Sequence, residues 1–419
     1  MRILWITNIL FPEAEFLLSG NGEFKASGGW MLGAADALLK INNVELFIAS
    51  VSKSVKELTR LEGQKITYYI IPFGKGNLNI NTEYIPFWIE IKNEINPDIV
   101  HIHGTEYSHG HAYMKISDNK NVVISIQGLL SSCYKYYYYG MKKLDIYSCL
   151  TIRDIIKGSI ISAQKSFKER SVIEKEMIKM CKHIIGRTSW DKANTWAINP
   201  NTEYHFCNET LRPDFYDGSQ WDYHHCKKHS IFLSQAGYPL KGLHQVLKAM
   251  PLILRHYPDT IIRIAGNDII KTNSLINKLK LTGYGLYIKK IIKKYNLNGK
   301  VIFTGNLNAK EIKQEYLNSN VFICPSTIEN SPNSLGEAQI LGVPCIASYV
   351  GGIADLMKGN EDNLYRFEDV EMLANKICLI FANKSKQINM IDIAKIRHNP
   401  ELNSEKLYFI YKNIVDKLK

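Results

Sequence analysis

Glu329 and Glu337 stand with seven residues between them, in the run Ile328-Glu329-Asn330-Ser331-Pro332-Asn333-Ser334-Leu335-Gly336-Glu337. Apolar residues from Val321 to Cys324 lead into this run and read as a buried strand. Pro332 after Ser331 reads as a helix start, with serine as the cap and proline at the first helical position. The N–H groups and the dipole of such a helix start form a seat for a diphosphate. Glu337 then falls about one and a half turns into the helix, with Glu329 in the loop ahead of it, so the two carboxylates can reach different hydroxyls of one ligand. The plainer alternative makes Glu329 a loop surface residue and Glu337 a partner of the helix dipole.

Two further groups carry side chains capable of chemistry. His101 and His103 share one face of a strand, followed by His109 and His111. No Cys or carboxylate pattern of zinc spacing accompanies them, so core or cleft histidines are expected and no metal. Arg187-Thr188-Ser189-Trp190-Asp191 follows another apolar run. Arg187 and Asp191 are expected to line a cleft, the alternative being helix capping by Ser189 or Asp191.

These residues need strands to carry them. Apolar runs bounded by turn signals recur at Ile3–Ile6, 44–49, 67–71, 99–102, 122–126 and 184–186, separated by helical or loop stretches. A polar loop with Gly20, Gly22, Gly28 and Gly29 follows the first of them, and a long helical pattern covers 141–183. The pattern restarts at 230–233, 260–265, 301–303, 321–324 and 344–347. That order predicts an α/β protein of two doubly wound, Rossmann-like units. The expected division is 1–213 and 214–399, with the turn-rich stretch after Arg212 as the junction. An amphipathic helix within 400–419, apolar at Leu407, Ile410, Ile414, Val415 and Leu418, ends the chain. Ligands of such sheets sit beyond the carboxyl ends of the strands, so a cleft between the two units is expected to hold them.

Composition narrows the partners. A chain of 419 residues with 45% apolar and 22% charged residues is ordinary for a globular protein. No run approaches a membrane span, and the N-terminal apolar run is too short for a signal peptide core, so a cytoplasmic location is expected. The 8 cysteines are scattered and read as reduced thiols. A net charge of +12 implies an anionic partner, and residues 135–192 hold 13 Lys and Arg against 6 Asp and Glu. With the aromatic run Tyr136 to Tyr139, this stretch suits the headgroup layer of an anionic membrane; a solvated helix face is the alternative.

The Glu329 and Glu337 spacing, with Gly342-Val343-Pro344 and Gly351-Gly352 after it, resembles the signature of family 4 retaining glycosyltransferases. Four further elements carry the resemblance: Lys241-Gly242 after the first strand of the second unit, Asn208 near the crossover, the early Gly28-Gly29 pair, and Asp98 to Gly104. The Glu-Asn-Ser-Pro-Asn-Ser loop is most similar to the bacterial surface and capsular polysaccharide branch. The resemblance implies the GT-B fold, a nucleoside-diphosphate sugar as donor, UDP-sugar being expected, and a glycan or lipid-linked glycan as acceptor. It implies that Lys241 neutralises the leaving diphosphate, so no metal or cofactor is needed. Glu337 would bind the ribose, Glu329 the transferred sugar, and the amides of Asn333, Ser334 and Leu335 phosphate or sugar. The base would lie against Gly305-Asn306-Leu307, and Gly28, Gly29, His103 and Glu106 would meet the acceptor. Retention is attributed to front-face attack, so neither glutamate is assigned as a nucleophile despite the comparison with glycosidases.

Two departures stand out. The family's arginine five residues before the lysine is Ala236 here, beside Gln235, so Arg212 or Arg187 is expected to supply the guanidinium. The family's histidine before glycine is Gln127-Gly128, which can hydrogen-bond a sugar but cannot titrate near neutrality. Two other readings stay open: a nucleotide-sugar epimerase on the same architecture, and a basic nucleic-acid-binding protein. The first lacks an acid and base constellation over a sugar ring. The second lacks a recognised nucleic-acid module, so no nucleic-acid partner is expected.

Overall fold

The first apolar run forms β1 (Arg2–Thr7), whose interior residues are buried on both faces, as a strand at the centre of a parallel sheet requires. The computed structural model describes residues 1–20, 29–74, 82–383 and 388–419. The chain divides into one compact unit of Met1–Ser131, Lys168–Pro213 and Arg397–Lys419 and a second of Ser132–Phe167 and Asp214–Ile396.

Among the described residues the first unit holds an eight-stranded sheet. After β1 come β2 (Glu45–Ser52), β3 (Thr59–Glu62), β4 (Ile66–Pro72), β5 (Ile99–His103), β6 (Val122–Ser125), β7 (His183–Gly186) and β8 (Glu203–Phe206). Their order is β3-β4-β2-β1-β5-β6-β7-β8, parallel except for β3 against β4. β3 and β8 alternate or lie half exposed, with the charged Arg60, Glu62 and Glu203, so neither has the continuous apolar run that marks the inner strands. The stretch read as a polar loop after β1 contains the helix Pro12–Ser19, with proline in its first turn.

The C-terminal helix Pro400–Asp416 closes one face of this sheet against the helix Gly29–Leu38. It buries Leu407, Ile410, Tyr411 and Ile414, while Leu418 stays exposed. Tyr411 is the polar anchor: its hydroxyl accepts from Trp5 Nε1 at 3.1 Å and also bonds His101 Nδ1.

The second unit has a six-stranded parallel sheet among the described residues, in the order β11-β10-β9-β12-β13-β14. Its strands are β9 (Lys227–Leu233), β10 (Ile261–Ile264), β11 (Val301–Phe303), β12 (Ser319–Cys324), β13 (Cys345–Ser348) and β14 (Leu364–Tyr365). β14 is only two residues long, too short for a periodicity to be read from sequence. The helix Leu243–His256 buries an apolar stripe of Leu243, Val246, Leu247, Met250 and Ile253 and packs beside the helix Val370–Ala382.

Two expectations are corrected here. The division of the chain places Ser132–Phe167 in the second unit, not the first. His244 Nε2 bonds the Tyr139 carbonyl at 2.9 Å, Lys248 donates to Gly140 and Lys290 to Ser148, each at 2.8 Å. These contacts join residues 105 to 142 positions apart, a separation that hydrophobic periodicity does not encode. The 141–183 pattern is also not one helix. It breaks into Lys143–Tyr147, Ile152–Lys157 and Ile160–Met180, because Thr151 and Asp154 form a capping box that starts a new helix and Gly158 ends it. No helix among the described residues is long and apolar enough to cross a membrane. All 8 cysteines are free thiols.

Candidate functional site

Lys241 and Glu329 reach the same place from opposite directions. The strand β9 ends at Leu233, and a short 3-10 turn, Pro239–Lys241, presents the lysine. The strand β12 ends at Cys324, and Glu329 stands in the loop that follows it. Their side chains form an ion pair at 2.5 Å, one about 20% and the other 17% exposed.

The backbone explains why this pairing holds. Gly242 adopts φ of +68°, and a Cβ there would lie 1.6 Å from the Pro325 carbonyl oxygen, so the residue after Lys241 must be glycine. Thr327 N–H donates to the Leu240 carbonyl at 2.8 Å, joining the two loops. Gly351 does the same service for Glu329: its φ is +53°, a Cβ would sit 1.9 Å from the Glu329 carbonyl, and Gly352 N–H donates to that oxygen at 3.0 Å. Ser326 Oγ donates to Glu329 Oε1 at 2.8 Å and thereby orients the carboxylate. Burial alone would lower the Lys241 pKa. The neighbouring Glu329 carboxylate and Tyr238 phenol more than offset this, so the ammonium is held charged above its usual range.

The helix after Glu329 spans Asn333–Ile340, with Pro332 at the cap position and no side-chain cap bond. This corrects the expected start by one residue: Ser331 is not the cap and proline precedes the first turn. Leu335 N–H donates to the Pro332 carbonyl at 3.0 Å, so its amide is committed to the helix start and not to a ligand. The N–H groups of Asn333 and Ser334 come before the helical ladder. Glu337 is buried in this helix, and Tyr316 joins it to the helix start, its hydroxyl donating to the Ser334 carbonyl at 2.9 Å and lying 3.5 Å from Glu337 Oε2. Gly305, Asn306 and Leu307 follow β11, where Gly266 N–H donates to the Gly305 carbonyl at 2.8 Å. Gln235 is exposed two residues beyond β9, beside the buried Ala236. All of these occupy the carboxyl edge of one parallel sheet, where ligands of open α/β sheets bind.

Arg212 and Arg187 belong to the first unit, and so do the remaining expected residues. Arg187 is buried and ion-paired with Glu209, and it donates to the Ile126 carbonyl at 2.7 Å. Its guanidinium is therefore paired within the first unit. Gln127 Nε2 donates to the same Glu209 at 2.8 Å. Glu209 thus organises this group, a role that sequence reasoning missed although the adjacent Asn208 was marked. Asp191 is fully buried and caps the helix Ser189–Ile198 with Thr188, accepting also from Tyr204 at 2.5 Å. It is a structural residue and not a cleft wall, and Thr188, not Ser189, is the cap.

His103 lines a cavity with Trp5, Trp30, Arg187 and Glu209. Burial holds His103 and His101 well below the usual histidine range, so both are neutral. Glu106, just past β5, accepts from Gly128 N–H at 3.2 Å, and burial together with Glu174 pushes its carboxyl up to about 7. Glu174, also unanticipated, is fully buried and accepts from Leu130 N–H at 2.7 Å, Ser131 N–H at 2.9 Å and Thr105 Oγ1 at 3.1 Å. Gly29 begins the helix Gly29–Leu38, and Gly28 lies outside the described residues. Among the described residues, His183, Glu203 and His205 bring ligand atoms within 4.8 Å of one another, but Lys417 already pairs with Glu203 at 2.9 Å, and His183 and Glu203 begin β7 and β8, at the amino edge of the sheet.

Comparison with known proteins finds its similarity in the second unit. Residues 224–397 match the family described as Glycosyl transferases group 1. The chain is 24% identical to the putative glycosyltransferase YtcC of Bacillus subtilis over 59% of its own length and 54% of that protein. It is 29% identical to protein CapJ of Staphylococcus aureus over 38% of its length and 44% of the relative. The chain therefore spans about half of the length of these curated relatives. Among solved structures, sucrose-phosphate synthase from Thermosynechococcus elongatus superposes with a TM-score of 0.70, covering 99% of both chains at 15% identity. That likeness shows the fold: two Rossmann-like domains of the GT-B class.

Proposed function

We propose that this protein is a glycosyltransferase that moves a hexose or N-acetylhexosamine from a nucleoside-diphosphate sugar to a glycan or lipid-linked glycan, with retention of configuration and in surface polysaccharide synthesis. The observation that carries the reading is the Lys241–Glu329 pair at the carboxyl edge of the second sheet, inside the matched Glycosyl transferases group 1 segment. A diphosphate seated at the Asn333 helix start would draw the Lys241 ammonium toward its oxygens. Such an ammonium stabilises the departing nucleotide by roughly 3 kcal/mol, in the range of one preorganised donor. Glu329 keeps that ammonium charged and aimed before the donor arrives, and it is then released to meet the sugar hydroxyls. Glu337, fixed one turn into the helix, holds the ribose. UDP-sugar is the expected donor, and the chemistry asks for no metal, because the cation is part of the protein.

Thermal shift against nucleoside diphosphates and nucleotide sugars tests the donor site. A ligand at a hundred times its dissociation constant adds about 2.7 kcal/mol of stability. Selective stabilisation by one nucleotide, lost in Glu337→Ala, is expected; no response to any member of the panel would remove the reading.

A further inference from the structure

The short helix Ile152–Lys157 is turned inside out. Its Asp154 is buried, held by the capping box with Thr151, whereas Ile152, Ile155 and Ile156 point to the outside. The helix Leu275–Lys280 packs beside it, and Thr151 Oγ1 donates to the Leu281 carbonyl at 2.8 Å, fixing the two together. That second helix also exposes its apolar residues, Leu275, Ile276 and Leu279. All six side chains are between 61% and 80% exposed. Scattered surface leucines need no explanation, but six on two adjoining helices form a contiguous apolar patch, which marks an interaction site.

The charge around the patch says what covers it. From Ile269 to Lys310 the sequence has 9 lysines and no Asp or Glu. Lys278 and Lys280 sit on the same short helix, and Lys157 ends the other; all three are exposed. A second protein surface would ask for paired charges at its rim. A patch of bulky apolar side chains with the exposed Lys157, Lys278 and Lys280 on the same two helices matches an anionic lipid surface, where the apolar tips enter the acyl boundary and the ammonium groups stay at the phosphates.

We infer that the face formed by 152–157 and 275–280 in the second unit docks on an anionic bilayer. The cationic stretch 135–192 divides between the two units, its residues from Lys168 onward belonging to the first. The inference depends on this face alone, so it stands or falls independently of the donor chemistry.

Co-sedimentation of the full chain with phosphatidylcholine vesicles, with and without phosphatidylglycerol, tests it. Binding to the anionic vesicles alone is expected, weakening as salt rises. Ile155→Asp with Ile156→Asp should reduce it by at least roughly a hundredfold, the scale of losing two buried isoleucines, and so should Leu275→Asp with Leu279→Asp. Because these side chains are exposed, the melting temperature of the variants without ligand should match the parent and certify the fold. Equal binding to neutral vesicles, or unchanged binding in both double variants, overturns the inference. So does a concentration-dependent dimer that the same substitutions dissolve, which would make a second copy the occupant.

Discussion

Lys241 Nζ lies 2.5 Å from Glu329 Oε1, although 88 positions separate the two residues. Two glycines make that contact possible, Gly242 behind the lysine and Gly351 behind the glutamate, each pressed against a carbonyl of the glutamate's loop. The pair is therefore a product of backbone geometry before it is a product of charge.

Replacing either partner should affect chemistry more than folding. Lys241→Ala and Glu329→Ala are each expected to lower turnover by more than about a hundredfold, the usual effect of removing a preorganised electrostatic group. Melting temperatures should change little, because both side chains keep contact with solvent. Near-parental turnover in either variant would remove the site assignment.

The glycine behind the lysine offers a contrast in stability. Gly242→Ala drives a Cβ into the Pro325 carbonyl and should destabilise by several kcal/mol, on the order of the largest single-residue effects. Gly237→Ala, five residues earlier and open to space, should be close to neutral. Urea unfolding of the two variants makes the comparison; equal midpoints would contradict the close approach.

In the first unit, the buried Arg187–Glu209 pair should respond asymmetrically. Glu209→Ala leaves a buried guanidinium without its counter-charge and is expected to cost about 3–5 kcal/mol. Arg187→Met with Glu209→Leu removes both charges and should recover much of that loss. A double variant no more stable than Glu209→Ala would argue against pairing as the cause.

Glu106 provides a pH test. Its folded pKa, pushed up to about 7 by burial, lies above the unfolded value near 4.5. A group raised on folding contributes stability that is fully present below the unfolded pKa and is lost as pH rises through the folded one. Glu106→Gln keeps an acceptor for Gly128 but cannot ionise. It should therefore raise the melting temperature relative to the parent at pH 8 and change it little at pH 4. A gain of the same size at both values would place the effect elsewhere.

Tyr411 tests the C-terminal helix. Tyr411→Phe leaves Trp5 Nε1 and His101 without their shared partner and should cost about 1–3 kcal/mol. Turnover measured below the melting temperature should be unchanged, whereas a comparable fall in kcat would give the helix a part in the chemistry.

What the sequence by itself determined is the alternation of buried strands and helices, hence the two parallel sheets, together with the loops that end at Lys241 and Glu329. These follow from local patterns: apolar runs, helix-start residues and glycines, each legible within about ten residues. Of the four edge strands among the described residues only β11 was legible, because β3, β8 and β14 are half exposed or too short to carry a buried run. Nor was the true helix start at Asn333, where a proline occupies the cap position that serine normally takes. Only the tertiary structure decided that Ser132–Phe167 joins the second unit, that Glu209 commits Arg187, and that Asp191 is spent on a cap. It also decided that Ile155 and Ile156 face outward while Asp154 is buried. Each of those outcomes depends on which distant backbone groups come within hydrogen-bonding reach, and that is set by the packing of the whole unit, not by the spacing of residues along the chain.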